Sequence, residues 1–220
     1  INWNEREKKL EELCKKFRKN DGHYDVLVPG SGGKDSIYVA HQLKYKYKMN
    51  PLLCSWSPTI ITKQGKKNLK AWIDLGFNIE FNKVNKEVHR VLTKLAFLNL
   101  CHPFQPFIIG QKNFAPRVAQ KNNIQLIMFG EHDAEFGSDL ERWNKPTMNL
   151  DRFTQDKIDY KEIFLGGVQL NEILKKYNFT IEDIKDYLPI ESDKFKSSKA
   201  EFHYYSYYKK WNFHDNYYYV

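Results

Sequence analysis

The sequence predicts an α/β fold: a Rossmann-like parallel sheet with helices on both faces, followed by an extra helical and aromatic C-terminal segment. Three observations carry this reading. Between residues 25 and 130, short apolar runs alternate with amphipathic stretches of helical period, the pattern of buried strands and their crossover helices. A glycine-rich turn stands at the first strand–helix junction, where sheets of this kind bind ligands. After Gly130 the alternation stops and the chain becomes polar, then aromatic.

The elements follow in order. Residues 4–19 read as a helix, with Leu10, Leu13, Cys14 and Phe17 on one face, and Asn20-Asp21-Gly22 ends it. Residues 25–29 are a buried strand, and 36–47 a helix with Ile37, Ala40, Leu43 and Tyr47 inward. Residues 52–56 are a second strand; 63–75 are a helix carrying Leu69, Trp72 and Ile73. Residues 77–81 are a third strand, and 85–98 a helix with Val88, Val91, Leu92 and Leu95 on its stripe. A loop holding Pro103 and Pro106 leads to a helix at 111–122, where Pro116 predicts a kink or restart. Residues 125–129 are the fourth strand, and 131–160 read as loop. Leu170 to Tyr177 and residues 180–187 are helices, the second capped by Thr180. Residues 202–219 hold ten aromatics in eighteen positions and carry no assigned element.

Composition narrows the partners. Hydrophobic residues are 41% of the 220, enough to bury a core. No apolar run approaches the roughly 18–20 residues of a membrane span, so no membrane partner is expected. The net charge of +8 suits an anionic partner without choosing one. Much of it comes from Ser36 to Ile73, where seven lysines and no acid occur. Three cysteines, Cys14, Cys54 and Cys101, form no CxxC pair. That excludes a zinc ribbon or dithiol motif here, and suits reduced thiols in the cytoplasm.

The most specific string is Pro29-Gly30-Ser31-Gly32-Gly33-Lys34-Asp35-Ser36. Glycines at a strand–helix turn let backbone N–H groups face an anion, and the helix N-terminus adds partial positive charge. Ser31 and Ser36 can donate hydroxyl hydrogen bonds, and Lys34 adds a point charge. The spacing matches neither a Walker A loop nor GxGxxG. Val28 stands where Walker A needs its first glycine, and Asp35 where GxGxxG needs its third. A carboxylate inside a phosphate loop would repel its ligand unless it held a cation, so Asp35 fits a magnesium ligand.

Ser31-Gly32-Gly33-Lys34-Asp35-Ser36 resembles the SGGxDS loop of the PP-loop ATP pyrophosphatases, the adenine nucleotide alpha-hydrolase-like superfamily. The resemblance implies ATP lying across the carboxyl ends of the strands, with pyrophosphate in the loop. It places Ser31, Gly32, Gly33, Lys34, Asp35 and Ser36 on the nucleotide. Ser55 and Trp56 become candidate adenosine neighbours, with plain sheet packing the other reading of Trp56. Gly130-Glu131-His132-Asp133-Ala134-Glu135 opens a stretch of five acids in eleven residues. Such acids suit magnesium or an incoming amine: Glu131 beside Asp35 for the metal, Gly130 for the nucleotide, Glu135 for the substrate. His102, Gln105, Gln111 and Lys112 are polar groups in an apolar segment, as in substrate-positioning loops.

Three further stretches narrow the resemblance. Ile109 to Phe114, Phe129 to Gly137, and Tyr207 to Asn212 with Asn216 to Tyr219 are similar to the N-acetyl sugar amidotransferases of bacterial surface-glycan biosynthesis. These act on lipopolysaccharide O-antigen sugars or flagellin nonulosonic acids. That implies an enzyme using ATP and Mg2+ to adenylate a sugar N-acetyl group. Ammonia from a separate glutaminase subunit then gives an acetamidino sugar. Lys34, Asp35 and Glu131 would be the catalytic residues. The chain departs from the family in lacking a cysteine pair before the first helix and in carrying His132 where Asn is expected. With Ile1 at the start and Val220 after three tyrosines, a fragment of a longer protein is expected. The expected organisation is an N-terminal helix (1–24), a PP-loop domain (25–150) and a helical and aromatic extension (151–220).

Two other readings stay open. A PP-loop enzyme acting on tRNA, of thiolation or lysidine type, would use the positive charge and aromatic tail on RNA. The missing CxxC and the acidic loop argue against nucleic acid. A nucleotide-sensing scaffold without turnover would keep the loop, but the intact Asp35 argues against it.

Overall fold

The computed structural model describes residues 1–58, 60–132, 144–149 and 153–219. Asn2 caps α1 (Trp3–Phe17), its side chain accepting from the Glu5 N–H, and Leu10, Cys14 and Phe17 are buried along one stripe. β1 (Val26–Pro29) runs through the glycine turn into α2 (Lys34–His41). α2 continues as a π-helical turn over Gln42–Lys46. β2 (Pro51–Ser55), α3 (Lys63–Asp74) and β3 (Asn78–Phe81) follow. Thr62 caps α3 through the Gly65 N–H, and Asn85 caps α4 (Lys86–Leu100). α5 (Gln105–Lys121) leads to β4 (Leu126–Phe129).

Beyond β4 lie β5 (Thr154–Gln155), β6 (Phe164–Leu165), β7 (Val168–Gln169) and α6 (Leu170–Tyr177). α7 (Ile181–Ile184) opens with a full capping box between Thr180 and Asp183, so two donors at the start of that turn are satisfied reciprocally. β8 (Ile190–Glu191), α8 (Ser192–Lys196), β9 (Glu201–Tyr204), α9 (Tyr205–Tyr208) and α10 (Phe213–Tyr219) complete the described chain.

The central sheet has five parallel strands in the order β3-β2-β1-β4-β9. Side-chain alternation sends two core clusters to its two faces. Val26, Val28, Leu53, Leu126 and Met128 pack with α1, α2 and Trp72 of α3. Leu27, Leu52, Cys54, Ile127 and Phe202 pack with α5 and Phe195 of α8. A parallel sheet needs this double cover, because both its faces are apolar. A third cluster, under α4, α6 and α7, holds Trp56, Leu92, Leu165 and Ile173.

The expected α/β architecture with a parallel sheet covered on both faces is therefore present, with four local differences. The fifth strand, Glu201–Tyr204, has no counterpart in the sequence reading; it comes from the segment expected as an extension and pairs along β4 from Leu126↔Glu201 to Phe129↔Tyr204. The helix expected at 111–122 begins at Gln105 instead. Pro106 falls in its first turn, where a missing N–H costs nothing, so the proline starts the helix rather than prolonging the loop. Pro116 does not end the helix and is buried within it, while its neighbours Ala115 and Val118 pack on the sheet. Ile73, expected inward, is 58% exposed. α3 covers the β3 edge of the sheet with a narrow stripe, which the larger Trp72 fills.

Among the described residues no helix is long and apolar enough to cross a membrane.

Candidate functional site

In the sheet, β2 and β3 lie to one side of β1, and β4 and β9 to the other. The chain therefore reverses its winding direction between β1 and β4, and the crevice at the carboxyl ends there is where open α/β sheets take ligands. A cavity of about 540 Å³ opens at that place. Pro29 of β1 with Gly30 after it, Cys54 of β2 with Trp56 just beyond its end, and Phe129 of β4 line it. α5 closes one side with Gln111, Lys112 and Ala115. The walls are mainly apolar, with Gln111 and Lys112 as the polar groups, a composition suited to a flat organic ring. Trp56 is 5% exposed, and its indole N–H has no hydrogen-bond partner. The indole is wedged against α5 at Gly110, where a Cβ would come within 2.1 Å of the ring. Burial pushes the Cys54 thiol well above its ordinary range, with Glu80 adding to the shift. It is an apolar wall group rather than a nucleophile.

The glycine turn borders this cavity, and its three glycines have different reasons to be there. A Cβ on Gly30 would lie 2.3 Å from the Ser36 Cβ, so the turn closes only without one. Gly32 has φ +82°, which favours glycine. Gly33 has an extended backbone, and a Cβ there would meet nothing nearer than the Ser31 Oγ at 3.5 Å. Folding gives no reason for glycine at this position. Gly33 is also the N-cap of α2, and no side chain caps that helix. The first N–H groups of α2 consequently face out of the turn uncapped, an arrangement that accepts an anion.

Ser31 is exposed, whereas Ser36 donates its hydroxyl to the Gly33 carbonyl at 3.0 Å and locks the turn. Lys34 and Asp35, in the first turn of α2, are ion-paired with each other through the Asp35 Oδ2. The other oxygen, Oδ1, accepts from the Asn216 Nδ2 of α10 at 3.2 Å. The Lys34 ammonium lies 5.1 Å from the centre of the Phe213 ring.

The remaining candidates divide. Trp56, Gln111 and Lys112 line the cavity. Ser55 is buried at the end of β2, next to the cavity wall. Gly130 and Glu131 follow β4 directly, and the Gly130 carbonyl accepts from the Ser206 N–H at 3.0 Å. His132 is buried and structural: its N–H donates to the Ser206 Oγ, and its Nε2 pairs with the Lys145 carbonyl at 3.0 Å. Gln105 and His102 do not line the cavity. Gln105 sits in the first turn of α5, where its Oε1 accepts from the Gly166 N–H at 2.9 Å. His102 is exposed at the turn before that helix. Glu135 lies outside the described residues, with the rest of the acidic stretch from Asp133 to Glu141.

For a metal ion, no group of three or more His, Cys, Asp or Glu that could hold one occurs among the described residues. A magnesium ion does not need such a cage: it keeps several waters and takes one or two carboxylates together with substrate phosphates. Asp35, half-buried at the mouth of an anion-accepting turn, fits that mode.

Several site residues had no assigned role in the sequence reading, although Asn216 stands in one of the stretches that carry the resemblance. Phe213 and Asn216 reach the loop from the far end of the chain. Met148 and Phe153 line the cavity from the segment read as loop. The alternation Glu201-Phe202-His203-Tyr204, rich in strand-favouring aromatics, was a usable signal for β9, and through it for α9 and α10.

No family model matches the chain. An uncharacterized protein of Methanocaldococcus jannaschii, MJ1599, is 33% identical to it over 67 residues. The match spans 30% of this chain and 24% of that protein. The shared stretch thus covers about a quarter of the relative, whose name carries no activity.

Proposed function

We propose that this protein is an ATP-dependent amidotransferase acting on the N-acetyl group of a sugar destined for bacterial surface glycans. The observation that carries the nucleotide part is Gly33: a glycine without an internal reason, at an uncapped helix N-terminus, beside an apolar cavity at the reversal point of the sheet. A phosphate needs close backbone approach there, and a Cβ would stand in its way. The resemblance of Ser31 to Ser36 to the PP-loop supports cleavage between the α and β phosphates. The later motifs support the sugar.

In this reading the base lies in the cavity against Trp56, and the β and γ phosphates meet the N–H groups of residues 33–36. Lys34 leaves its ion pair and turns to the phosphates. The acetamido oxygen of the sugar attacks the α-phosphorus, and the bond to the β-phosphate oxygen breaks, releasing pyrophosphate. Ammonia, supplied by a separate glutaminase subunit, adds to the imidate carbon. The C–O bond breaks, AMP leaves with that oxygen, and a proton is shed from the entering nitrogen. Asp35, with Glu131 as a second carboxylate, would hold magnesium, which would supply neutralising charge to the phosphates. The chain's own part is positioning and charge neutralisation, because the leaving groups are already good. Gln111 and Lys112, which line the cavity, would contact the sugar or its phosphate carrier.

Mass spectrometry tests this. Nucleotide-linked acetamido sugars are incubated with the protein, ATP, Mg2+ and ammonium. Conversion of an acetamido to an acetamidino group, with AMP and pyrophosphate formed, is the expected result. Tight, salt-dependent tRNA binding with ATP cleavage indifferent to ammonium would overturn the sugar reading.

A further inference from the structure

We propose that α10 is a strap over the phosphate loop, with Asn216 as the positioning residue that sets the Asp35 carboxylate. The inference rests on the reading of the loop as the nucleotide site. Phe213, Asn216 and Tyr219 are three residues apart and share one face of α10. Each touches α2. The Phe213 ring meets the Lys34 ammonium, and the Asn216 amide donates to Asp35. The Tyr219 hydroxyl pairs with the His41 Nδ1 at 2.9 Å, and its ring stands edge-on to Tyr38 at 5.0 Å. On the opposite face Tyr217 and Tyr218 are exposed, whereas Asn216 is 3% exposed. The strap therefore buries an amide, not an aromatic ring, where it meets the Asp35 carboxylate.

The register of α10 is fixed before it reaches the loop. Asn212 accepts from the His214 N–H and holds the Asp215 carboxylate at 2.8 Å. An amide donor on Oδ1 and an ammonium on Oδ2 fix the plane of the Asp35 carboxylate. When Lys34 turns to phosphate, the Asn216 bond is the one that keeps that plane. An apolar residue at 216 would fill the same space without orienting anything. An aspartate there would place like charge against like.

The experiment uses the full chain with three variants: Asn216→Ala, the isosteric Asn216→Asp, and Tyr218→Ala as a control on the exposed face. ATP affinity is measured with Mg2+ and with EDTA, and amide hydrogen exchange is followed at residues 37–41, the hydrogen-bonded amides of α2. Asn216→Ala is expected to weaken Mg2+–ATP binding about tenfold, the worth of one hydrogen bond to a charged group. Asn216→Asp should lose more, metal-free ATP binding by Asn216→Ala should hold within about twofold, and Tyr218→Ala should match the wild type. A merely structural role would lower both affinities of Asn216→Ala together. Wild-type Mg2+–ATP affinity in both Asn216 variants overturns the strap and leaves the nucleotide reading intact. A wild type that binds no ATP overturns the nucleotide reading. The exchange measurement still decides the strap: faster exchange at 37–41 in both variants supports it, and unchanged exchange refutes it.

Discussion

Replacing Gly33 by valine separates what the loop does for the fold from what it does for a ligand. The backbone there has φ −73° and ψ 165°, which valine adopts freely, and its Cβ meets only the Ser31 Oγ at 3.5 Å. A branched residue at an N-cap costs about 1 kcal/mol. Removing glycine freedom from the unfolded chain returns about 0.4–1 kcal/mol. Net stability should stay within about 1 kcal/mol, a shift in Tm of no more than about 2–4 °C. Binding should fall much further. Denying a phosphate two charge-assisted N–H contacts forfeits about 3–5 kcal/mol, a loss of roughly two to four orders of magnitude in ATP affinity. Gly30→Ala inverts the pattern. Its Cβ would overlap Ser36 at 2.3 Å, so about 1–3 kcal/mol of stability goes first. Calorimetric titration with ATP beside a thermal melt checks both. A Gly33→Val protein that melts like the wild type and binds ATP as tightly would refute the phosphate-loop assignment.

Three further outcomes rest on the packing. Gly110→Ala should destabilise by about 2–3 kcal/mol, because the new methyl collides with the Trp56 ring 2.1 Å away and an overfilled core must shift; a melt and the tryptophan emission report it. Hydrogen bonds from Lys209 and then Lys46 hold the Glu7 carboxyl down at about 2, below its ordinary 4.5. Its contribution is therefore complete above about pH 4.5 and lost as pH falls toward 2. Denaturant melts should show Glu7→Gln less stable by about 1 kcal/mol at neutral pH, after allowing for solvent screening, with the gap closing under acid. Of the three thiols, Cys101 is exposed while Cys14 and Cys54 are buried, and burial raises the Cys14 thiol to about 12. A thiol reagent should label one site per native chain and the other two only on unfolding.

The sequence carried the strands and helices up to Gly130 because each is a local pattern. Leu10, Cys14 and Phe17, or Ile37, Ala40 and Leu43, show their period within a few residues of one another. The glycine turn was legible for the same reason: its residues are contiguous, and they stand between β1 and α2 as expected. The hidden features depend on distance along the chain. The bond from Asn216 to Asp35 joins residues 181 apart, and no local pattern announces it. Gln105 shows a related effect: a polar side chain in an apolar segment suggests a ligand, and in the fold its Oε1 accepts from the distant Gly166 N–H. Backbone donors elsewhere in the chain compete for such side chains.

The orientation of one strand explains why the aromatic segment reaches the loop at all. In a parallel sheet every strand presents its carboxyl end at the same edge. β9 runs parallel to β4, so the residues after Tyr204 emerge beside those after Phe129, at the mouth of the crevice. α9 begins at the next residue, and its Ser206 at once takes the Gly130 carbonyl and the His132 N–H. From there the chain needs only a short turn to lay α10 along α2. Had β9 joined antiparallel, the same tyrosines would have left from the opposite edge, and neither Phe213 nor Asn216 could reach Lys34 and Asp35. The aromatic segment is thus placed at the site by strand direction rather than by its composition. Any substitution that unpairs β9 from β4 should loosen the loop before it disturbs β1, β2 or β3, because α10 touches α2 directly while those strands pair without β9.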